Sequence, residues 1–554
     1  MLKLIILLVA ISCVFGGKPT LSDNRGLRDE RLKYNFRVKD YVFGSLFPKP
    51  QEETKDATKL MSLDPEKFSF TKTGEDSDVI QAALVRYKMI AFPDAQVGGA
   101  DSNYPQITGL NVHIIQPYKA MDFKMDESYN LVIAAPMASI EANTVWGALR
   151  GLETFSQAVY QNISDKYYVN SNKIHDFPRF HHRGFLIDTS RHYLSVQTIE
   201  QFIDALAYSK YNVLHWHIVD ETSFPFVSKT FPSLSEMGSF NSTTHVYNPE
   251  DVQRVIEYAR MRGVRVLPEF DTPGHSDSWY SIENLLTKCY SSGKPNGNTG
   301  PIDPTVESNY EFLKNFFKEV AEVFPDAYLH LGGDEVSFSC WESNPNIAKW
   351  MADHDMGKNY SLLEQYYEQR LLDIVGALGK NYVIWQEVVD NQVKVKADTV
   401  VNIWRGHNDE WKAEAKKITT LGYNVILSSP WYLNYISYAQ DWPTYYKADP
   451  QSFDGTQEQL DLVLGGTACM WGEWVDATNL LARTWARALA VGERLWSAKT
   501  VTDVSDAGLR MWEHRCRYLR RGIPAENVVD SQYCRHEWQV NYEPLNNYAK
   551  KDEF

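Results

Sequence analysis

Short apolar runs that end in polar residues recur along the chain from residue 183 onward. In order they read RGFLIDTS, YNVLHWHIVD, GVRVLPEFD, DAYLHLGGDE, YVIWQEV, TVVNIWRG, YNVILSSPW and LVLGGTACMWGE. Amphipathic helical patterns separate most of them, as after the first run, where Ser195 is a plausible N-cap. Continuous apolar strands that alternate with amphipathic helices indicate a parallel sheet covered by helices. Eight such units over about 300 residues predict an α/β fold, the (β/α)8 TIM barrel.

A different pattern precedes the barrel. Between about residues 40 and 165, the strand-like runs LNVHIIQ and YNLVIAAP accompany a helical pattern from Val145 to Tyr160. This mixture predicts a smaller α+β domain. The segment NSNKIHDFPRFHH reads as a linker out of it. We therefore predict the α+β domain over residues 18–175 and the barrel, with a C-terminal extension, over residues 176–554.

Residues 1–17 read as a secretory signal peptide. Lys3 precedes an apolar run from Leu4 to Phe15 that is too short to span a bilayer and that ends in small residues. No later stretch approaches the roughly 20 apolar residues of a membrane helix, so no membrane span is expected. The mature chain is expected in the secretory pathway. Three N-glycosylation sequons agree with this: Asn162, Asn241 and Asn359.

Composition and cysteine count narrow the possibilities further. The 554-residue chain has 44% hydrophobic residues, enough for a large core, and a net charge of −15, which argues against nucleic acid or anionic membranes as partners. Cys13 leaves with the signal peptide, so five cysteines remain. An oxidising compartment permits disulfides, but an odd number leaves at least one thiol unpaired. Cys469 lies in the apolar run GGTACMWGE and is expected to be buried and free.

The ends of the predicted strands carry the candidate chemistry, because the active site of such a barrel lies there. HLGGDEVSF places Asp334 and Glu335 side by side at the end of strand four, where neighbouring residues of a strand point to opposite faces. The other strand ends supply Asp188, Arg191, Asp220, Asp271, His275, Trp385, Glu387, Trp404, Trp431, Tyr432, Trp471 and Glu473. Carboxylates beside tryptophans are typical of sugar chemistry, since acids move protons and aromatic faces stack on sugar rings.

One alternative is a metal site. HWH puts His215 and His217 on one face of the second strand, as in barrel metallohydrolases. Such sites usually add histidines from later strands, and strands five to eight offer none except His407, beyond strand six. We therefore expect no metal, and we expect these histidines to hydrogen-bond carboxylates at the rim.

Five segments of the chain resemble a known family. RGFLIDTSRHYL, LHWHIVD, PEFDTPGH, HLGGDEV and WGEWVDATN are similar to motifs of the family 20 glycoside hydrolases, the β-N-acetylhexosaminidases. The resemblance is greatest to eukaryotic lysosomal and secreted members and covers essentially the whole mature chain, including the α+β domain. It implies an exo-acting hydrolase that removes terminal N-acetylglucosamine or N-acetylgalactosamine from glycans with retention of configuration.

The resemblance also implies a mechanism in which the substrate's acetamido group replaces the usual carboxylate nucleophile. Glu335 would be the general acid and then the general base. Asp334 would accept a hydrogen bond from the 2-acetamido N–H and aim the acetamido oxygen at the anomeric carbon, giving an oxazolinium intermediate. No cofactor is implied, the partners would be glycan substrates, and a homodimer is expected.

Further roles follow from motif positions. The substrate-binding residues would be Arg191, Trp385, Trp404, Tyr432, Asn434, Trp471 and Glu473. Arg191 would bind the 3- and 4-hydroxyls, with Glu473 on the side of the 4- and 6-hydroxyls. The three tryptophans would form the acetamido pocket and the floor under the ring, and Tyr432 would donate to the acetamido oxygen. Three residues would orient the acid pair from behind: Asp220, Asp271 and His275.

Two family disulfides are matched by Cys289–Cys340 and Cys516–Cys534, while a third, N-terminal one of animal members has no cysteines here. In lysosomal members the two residues after Trp-Tyr-Leu sort substrates: Asn-Arg accepts 6-sulfated sugars and Asp-Leu disfavours them. Asn434 and Tyr435 match neither pair, and we expect a preference for neutral sugars.

A sugar-binding protein without turnover is the alternative function on the same scaffold, and the intact Asp334, Glu335 and Tyr432 argue against it. The natural glycan stays open. So does the compartment, which could be the lysosome, the exterior, or the endoplasmic reticulum through the C-terminal KDEF, which resembles a retrieval signal but ends in Phe.

Overall fold

The computed structural model describes residues 43–94, 99–161, 165–406, 408–437, 440–529, 532–534 and 537. The predicted signal peptide, the sequon at Asn162 and the KDEF tail lie outside these residues. The described residues form an N-terminal sheet with helices and a closed barrel. None of their helices is both long and apolar enough to cross a membrane.

The N-terminal part is a mixed sheet with two long helices. The strands are β1 (Glu52–Leu63), β2 (Ser69–Gly74), β3 (Gln106–Ile107), β4 (Gly109–Ile114), β5 (Tyr129–Ile133), β6 (Met137–Ala142), β7 (Tyr160–Gln161) and β8 (Tyr167–Asp176), and the helices are α1 (Asp78–Ala91) and α2 (Val145–Ala158). The strand order is β2-β4-β6-β5-β8-β1-β3, with β7 paired to β8. Every residue of α2 is buried, since the helix packs on the sheet and its Arg150 donates to the carbonyls of Tyr211 and Gly263 in the barrel.

The segment NSNKIHDFPRFHH is not a linker along most of its length, and this prediction was wrong. Its first seven residues belong to β8, which pairs with β1 and β5. Polar side chains of this strand face inward and find partners there: Asn172 donates to Glu53 over 2.7 Å, and Asp176 accepts from Tyr129 over 2.6 Å. A strand that buries polar groups lacks the apolar alternation by which strands are recognised.

Eight parallel strands close the barrel in the order β10-β11-β14-β15-β16-β17-β18-β9. They are β9 (His182–Asp188), β10 (Val213–Val219), β11 (Arg265–Phe270), β14 (Tyr328–His330), β15 (Asn381–Trp385), β16 (Val400–Ile403), β17 (Asn424–Leu427) and β18 (Val463–Met470), and a hairpin, β12 (Leu286–Ser291) and β13 (Lys294–Ile302), is inserted after β11. All eight predicted strands are therefore found, and the predicted fold class is confirmed.

Helices connect the strands outside the barrel. They are α3 (Val196–Tyr208), α4 (Ser233–Gly238), α5 (Pro249–Arg260), α6 (Glu307–Val323), α7 (Ser339–Ser343), α8 (Pro345–Asp353), α9 (Tyr360–Ala377), α10 (Glu387–Asp390), α11 (Trp411–Thr420), α12 (Trp442–Lys447), α13 (Gln457–Asp461), α14 (Leu480–Thr484), α15 (Arg487–Trp496) and α16 (Val504–Arg520). Ser195 caps α3 as predicted, because its Oγ accepts the N–H of Thr198 over 3.2 Å.

Side chains inside the barrel form layers, because alternate residues of a strand share a face. The layer nearest the strand N-termini is apolar and consists of Val213, Leu267, Val383, Val400 and Ile426. Two residues further along β10 and β11 the interior becomes polar: His215 Nε2 lies 2.7 Å from Glu269 Oε2. A fully buried acid–imidazole layer therefore lies between the apolar core and the C-terminal rim.

A buried ion network joins the N-terminal part to the barrel. Glu127, which precedes β5, accepts a hydrogen bond from Nη2 of Arg183 on β9 over 2.6 Å and one from Nε of Arg150 on α2 over 2.9 Å. Lys210, after α3, donates to Asp176 of β8 over 2.8 Å. Groups buried in this way must all be paired, so these contacts specify how the two parts dock.

Candidate active site

Asp334 and Glu335 lie in the loop that follows β14 (the acid loop, residues 331–335) and not on the strand itself. The prediction that strand geometry turns their side chains to opposite faces was therefore wrong. β14 ends at His330, and Gly332 and Gly333 follow with φ of +73° and +92°. A Cβ on Gly332 would lie 1.7 Å from Asp271 Oδ1, so only glycine fits there. The loop leaves Asp334 buried, while the side chain of Glu335, itself at φ +52°, is 57% exposed.

Asp334 lies beside Asp271, and the two carboxyls share one buried site. Asp271 accepts the N–H of Gly333 through Oδ1 at 3.1 Å, which ties β11 to the acid loop. Burial and the neighbouring Asp334 raise the pKa of Asp271, so Asp271 is the member that keeps a proton. Asp334 Oδ1 is buried and has no hydrogen-bond partner among the described residues.

His275 connects both acids to Asp220. Its Nδ1 lies 3.2 Å from Asp220 Oδ1, and its Nε2 lies 3.6 Å from Glu335 Oε2 and 3.8 Å from Asp334 Oδ2. Burial lowers the pKa of His275, but its contacts with Asp220 and Glu335 outweigh burial and raise it. His275 is therefore an imidazolium in a ring of three carboxylates. It follows a cis Thr272–Pro273 bond and has φ of +49°.

Arg191 occupies the rim between three acids. Its guanidinium lies 2.9 Å from Asp188 Oδ2, 2.8 Å from Asp220 Oδ2 and 3.7 Å from Glu473 Oε1. It also lies 5.4 Å from the centre of the Trp471 ring. Asp188 in turn accepts the N–H of Gly472 over 3.0 Å, which joins β9 to the loop after β18. The first and last strands of the barrel thus hold the arginine at the edge of the site.

Aromatic side chains line the other side. Trp471 packs against Trp385 with ring centres 6.2 Å apart, and Tyr432 lies 6.3 Å from Trp471 and 6.4 Å from Trp404. Burial raises the pKa of Tyr432, so its hydroxyl stays protonated and can donate a hydrogen bond. Trp404 Nε1 is buried and has no partner among the described residues. The site therefore offers donors within an apolar wall.

Asn434 and Tyr435 form the outer edge of that wall. Asn434 Oδ1 is buried and without a partner among the described residues, while its carbonyl accepts from Arg483 over 2.6 Å. Tyr435 is 55% exposed, and its ring stacks on Tyr432 at 6.1 Å. The structure thus brings all the predicted substrate-binding and catalytic residues to one rim of the barrel.

Two carboxylates at the site were not given roles from the sequence. Glu387 accepts the N–H of Glu335 over 3.0 Å and pairs with Arg405. Glu269 accepts Trp385 Nε1 over 2.8 Å, deep in the barrel. A signal for Glu269 was present, because it lies on β11 two residues before Asp271, which directly follows the strand, and alternate residues share a face. Glu387 was noted at a strand end, but nothing local indicated its role, since its partner is a backbone N–H 52 residues away.

Three groups of described residues bring possible metal ligands within 4.8 Å of one another: His215 with Glu269 and His330, Asp220 with Glu221 and His275, and Asp271 with His275 and Asp334. In the first group His215 Nε2 lies 2.7 Å from Glu269 Oε2. That separation is a hydrogen bond, shorter than two ligand atoms on one tetrahedral ion would allow. The geometry agrees with acid–imidazole pairs. His217 meets the rim carboxylate of Asp220 as expected, whereas His215 meets Glu269 inside the barrel and not a carboxylate at the rim.

The described cysteines form two disulfides and one free thiol, and Cys469 packs against Trp385 and Trp471 of the aromatic wall. The structure contains both disulfides, Cys289–Cys340 and Cys516–Cys534, and Cys469 is buried and free as predicted. The first disulfide ties the inserted hairpin to α7, just after the acid loop. Asn241 and Asn359 are both exposed, so each can be reached by a glycosyltransferase.

Comparison with known proteins finds one enzyme family along both parts of the chain. The profile "Glycosyl hydrolase family 20, catalytic domain" matches residues 180–499, and the profile "beta-acetyl hexosaminidase like" matches residues 46–158. The chain is 48% identical to beta-hexosaminidase subunit beta of Mus musculus, over 87% of this chain and 91% of that one. It is 51% identical to subunit alpha of Bos taurus, over 74% of this chain and 78% of that one. Among solved structures, a chitobiase of Flavobacterium johnsoniae superposes with a TM-score of 0.75 at 30% identity, over 85% of this chain and 72% of that one.

Proposed function

The chain belongs to glycosyl hydrolase family 20, and we propose that it is an exo-acting β-N-acetylhexosaminidase. It removes terminal, non-reducing N-acetylglucosamine and N-acetylgalactosamine from glycans and glycoconjugates. The reaction retains configuration and proceeds through an oxazolinium intermediate formed by the substrate's own acetamido group.

Asp334 is the residue that recruits the acetamido group. Its Oδ1 is buried and has no partner among the described residues, so an amide N–H of the substrate can satisfy it. Tyr432, with its protonated hydroxyl, donates to the acetamido oxygen from the other side. These two contacts aim that oxygen at the anomeric carbon, and the Asp334 carboxylate then stabilises the positive charge of the oxazolinium ring.

Glu335 protonates the leaving oxygen. It stands exposed above Asp334, within reach of a glycosidic bond at the barrel mouth. After the first half-reaction it is ionised, and it then takes a proton from the water that opens the oxazolinium. Glu387 holds the backbone of Glu335 by accepting the N–H of Glu335, and His275 holds the Glu335 side chain.

Arg191 and Glu473 bind the non-reducing end of the sugar. The arginine is oriented by Asp188 and Asp220, so its guanidinium is preorganised to donate to the 3- and 4-hydroxyls. Trp471, directly beside it, supplies a flat apolar surface under the ring. Arg191 and the acids that hold it close this end of the site, so the site suits a sugar at the end of a glycan. This is the basis for exo action.

The single observation that carries the proposal is the unpartnered Asp334 Oδ1 beside Glu335 and His275 within an aromatic wall. The test is release of nitrophenol from an N-acetylglucosaminide and from the plain glucoside. We expect the first to be cleaved and the second to be almost inert, and a thiazoline mimic of the intermediate to inhibit strongly. Comparable cleavage of the glucoside, or a covalent sugar on any carboxylate, would contradict substrate assistance.

The same assay separates catalysis from binding alone. A protein that binds sugar without turnover would retain the thiazoline but release no nitrophenol. Chelators should leave the rate unchanged, since no proposed step uses a metal ion. A loss of activity that added zinc restores would favour the metal alternative at His215.

A homodimer is part of the proposal, supported by an apolar patch at the rim. Tyr435 is 55% exposed, Ile436 86% and Trp474 83%. Arg483 joins the two loops of this patch through the carbonyls of Asn434 and Trp474. Contiguous exposed apolar side chains mark interfaces, and the relatives above are named as subunits.

Light scattering on Ile436→Asp and Trp474→Asp tests the dimer. We expect each variant to be monomeric at concentrations where the wild type is dimeric. Leu421→Asp is the matched control, because Leu421 is 57% exposed elsewhere on the surface. A wild-type monomer, or an unchanged dimer in both rim variants, would contradict the assignment.

We also propose that the protein travels the secretory pathway to the lysosome or the exterior. The signal-like N-terminus, the two disulfides and the exposed sequons at Asn241 and Asn359 support this. Glycosidase digestion of the expressed protein, followed by localisation with and without the last four residues, tests it. Retention in the endoplasmic reticulum that depends on KDEF would contradict the proposed destination.

A further inference from the structure

The second barrel strand carries two histidines that meet the same carboxylate but differ in charge. His215 and His217 both lie against Glu269 Oε2, at 2.7 Å and 2.8 Å. Burial lowers the pKa of His215 to about 4, so it is neutral and donates from Nε2 alone. His217 has a second acid at its other nitrogen, because Nε2 lies 2.9 Å from Asp220 Oδ2.

The Nδ1 contact with Glu269 is an ion pair and not an aligned hydrogen bond. A carboxylate only accepts, so a bare ring nitrogen 2.8 Å from Glu269 Oε2 would repel it, and both nitrogens of His217 must carry a hydrogen. We infer that His217 is a permanent, buried imidazolium and a positioning residue, which holds Asp220 so that Asp220 can orient Arg191 and His275 together. The inference deepens the proposed function, on which it rests. It extends the chain of contacts from the acid Glu335 down to Glu269 in the barrel interior.

Asp220 is the residue at which these contacts meet. The charged groups that face it are His217 from its own strand, Arg191 after β9 and His275 after β11, and the exposed Glu221 lies beside it. Burial raises the pKa of Asp220, but the hydrogen bonds from His217 and His275 outweigh burial and lower it. Asp220 therefore stays ionised at acidic pH, where the general acid must be protonated to work.

Replacing His217 removes the largest of the interactions that keep Asp220 ionised. In His217→Gln the pKa of Asp220 rises, and at low pH a protonated Asp220 releases both Arg191 and His275. Loss of Arg191 alignment raises KM, and loss of His275 alignment lowers kcat. We expect kcat/KM to fall about tenfold or more at the optimum, the usual cost of removing a partner that orients a functional side chain.

The pH profile distinguishes positioning from a loss of packing. The acidic limb of kcat/KM should move to higher pH by about one to two units in His217→Gln, from the strength of a charge-assisted hydrogen bond. His215→Gln is the matched control, because it touches the same Glu269 but not Asp220. Its acidic limb should stay where it is in the wild type. An equal shift in both variants, or in neither, would overturn the inference.

A second measurement needs neither a variant nor activity. Neutron diffraction from wild-type crystals at pH 5 to 7 locates the ring hydrogens directly. Two on His217 and one on His215 are expected, and a single hydrogen on His217 would overturn the inference even if the enzyme is active. Failure of the proposed function would instead appear as a wild type that releases no nitrophenol, whatever the hydrogens show.

Discussion

The Nε2 atom of His275 lies 3.6 Å from Oε2 of Glu335, and the residues meet although 60 positions of sequence separate them. The contact with the His275 imidazolium lowers the pKa of Glu335, more than burial raises it. An acid must be protonated to donate, so this contact limits the reaction to acidic solution. The contact therefore orients Glu335 but confines its activity to a narrower pH range.

His275→Gln should move the alkaline limb of kcat/KM to higher pH. The limb reports the free enzyme's acid, whose activity is lost as pH rises through its pKa. Without the imidazolium that pKa rises, and the protonated form persists to higher pH, while the maximal rate falls because Glu335 is no longer held. The check is a profile of kcat/KM from pH 3 to 8. An unmoved limb would mean that another group sets it.

Glu335→Gln should cut turnover of substrates with poor leaving groups by about 10²–10⁴-fold, the usual contribution of general-acid help. A nitrophenyl glycoside should lose less in its first step, because nitrophenolate leaves without a proton. Rates for the two substrate types, compared under conditions where bond cleavage is limiting, give the answer. Equal losses would remove Glu335 from the role of acid.

Glu127→Gln should destabilise the protein by about 3–5 kcal/mol, because it leaves Arg183 and Arg150 buried without their carboxylate. Glu307→Gln is the control, since the side chain of Glu307 is 78% exposed and its pair with Arg370 lies on the surface. That change should cost about 0–1 kcal/mol. Urea unfolding of both variants measures the difference, and similar costs would show that the buried network is not what docks the two parts.

Glu364 should make the protein less stable at neutral than at acidic pH. It is buried on α9, and burial raises its pKa from the ordinary 4.5 to about 7. Between these values the folded protein holds a proton that the unfolded chain releases, so the free energy of unfolding falls as pH rises from 4.5 to 7. The full effect is at most about 3 kcal/mol.

Glu364→Gln imitates the protonated form and should remove this dependence. Its melting temperature relative to the wild type should therefore increase from pH 5 to pH 7.5. Glu66→Gln, at an exposed position, should show a constant difference. A constant difference in Glu364→Gln as well would mean that its carboxyl titrates normally.

Tyr435→Arg should raise activity on 6-sulfated substrates relative to neutral ones. The described part of the loop that holds Asn434 and Tyr435 has neither a carboxylate to repel a sulfate nor a cation of its own to bind it, and the neighbouring Arg483 already donates to the carbonyls of Asn434 and Trp474. An exposed new ion pair should change the ratio of kcat/KM values about two- to fivefold. Tyr435→Met is the uncharged control. A wild-type enzyme that cleaves both forms equally well would refute the neutral preference.

Apolar periodicity alone located the eight barrel strands, because a strand buried on both faces needs a continuous apolar run, whatever surrounds it. The rim residues followed, since a parallel barrel brings all its strand ends together. Both predictions rest on residues that are close together in the sequence. β8 was missed by the same method because some of its inward side chains are polar and find their partners on other strands, Asn172 on β1 and Asp176 on β5.

The charge and direction of the site residues depend on tertiary contacts. His215 and His217 are two positions apart in HWH, yet one is neutral and the other cationic, because only His217 lies between Glu269 and Asp220. Glu335 takes its direction from two glycines and from the distant Glu387. Local sequence carries the hydrophobic pattern, whereas protonation and orientation are set by electrostatic partners that only the closed barrel brings within a few ångströms.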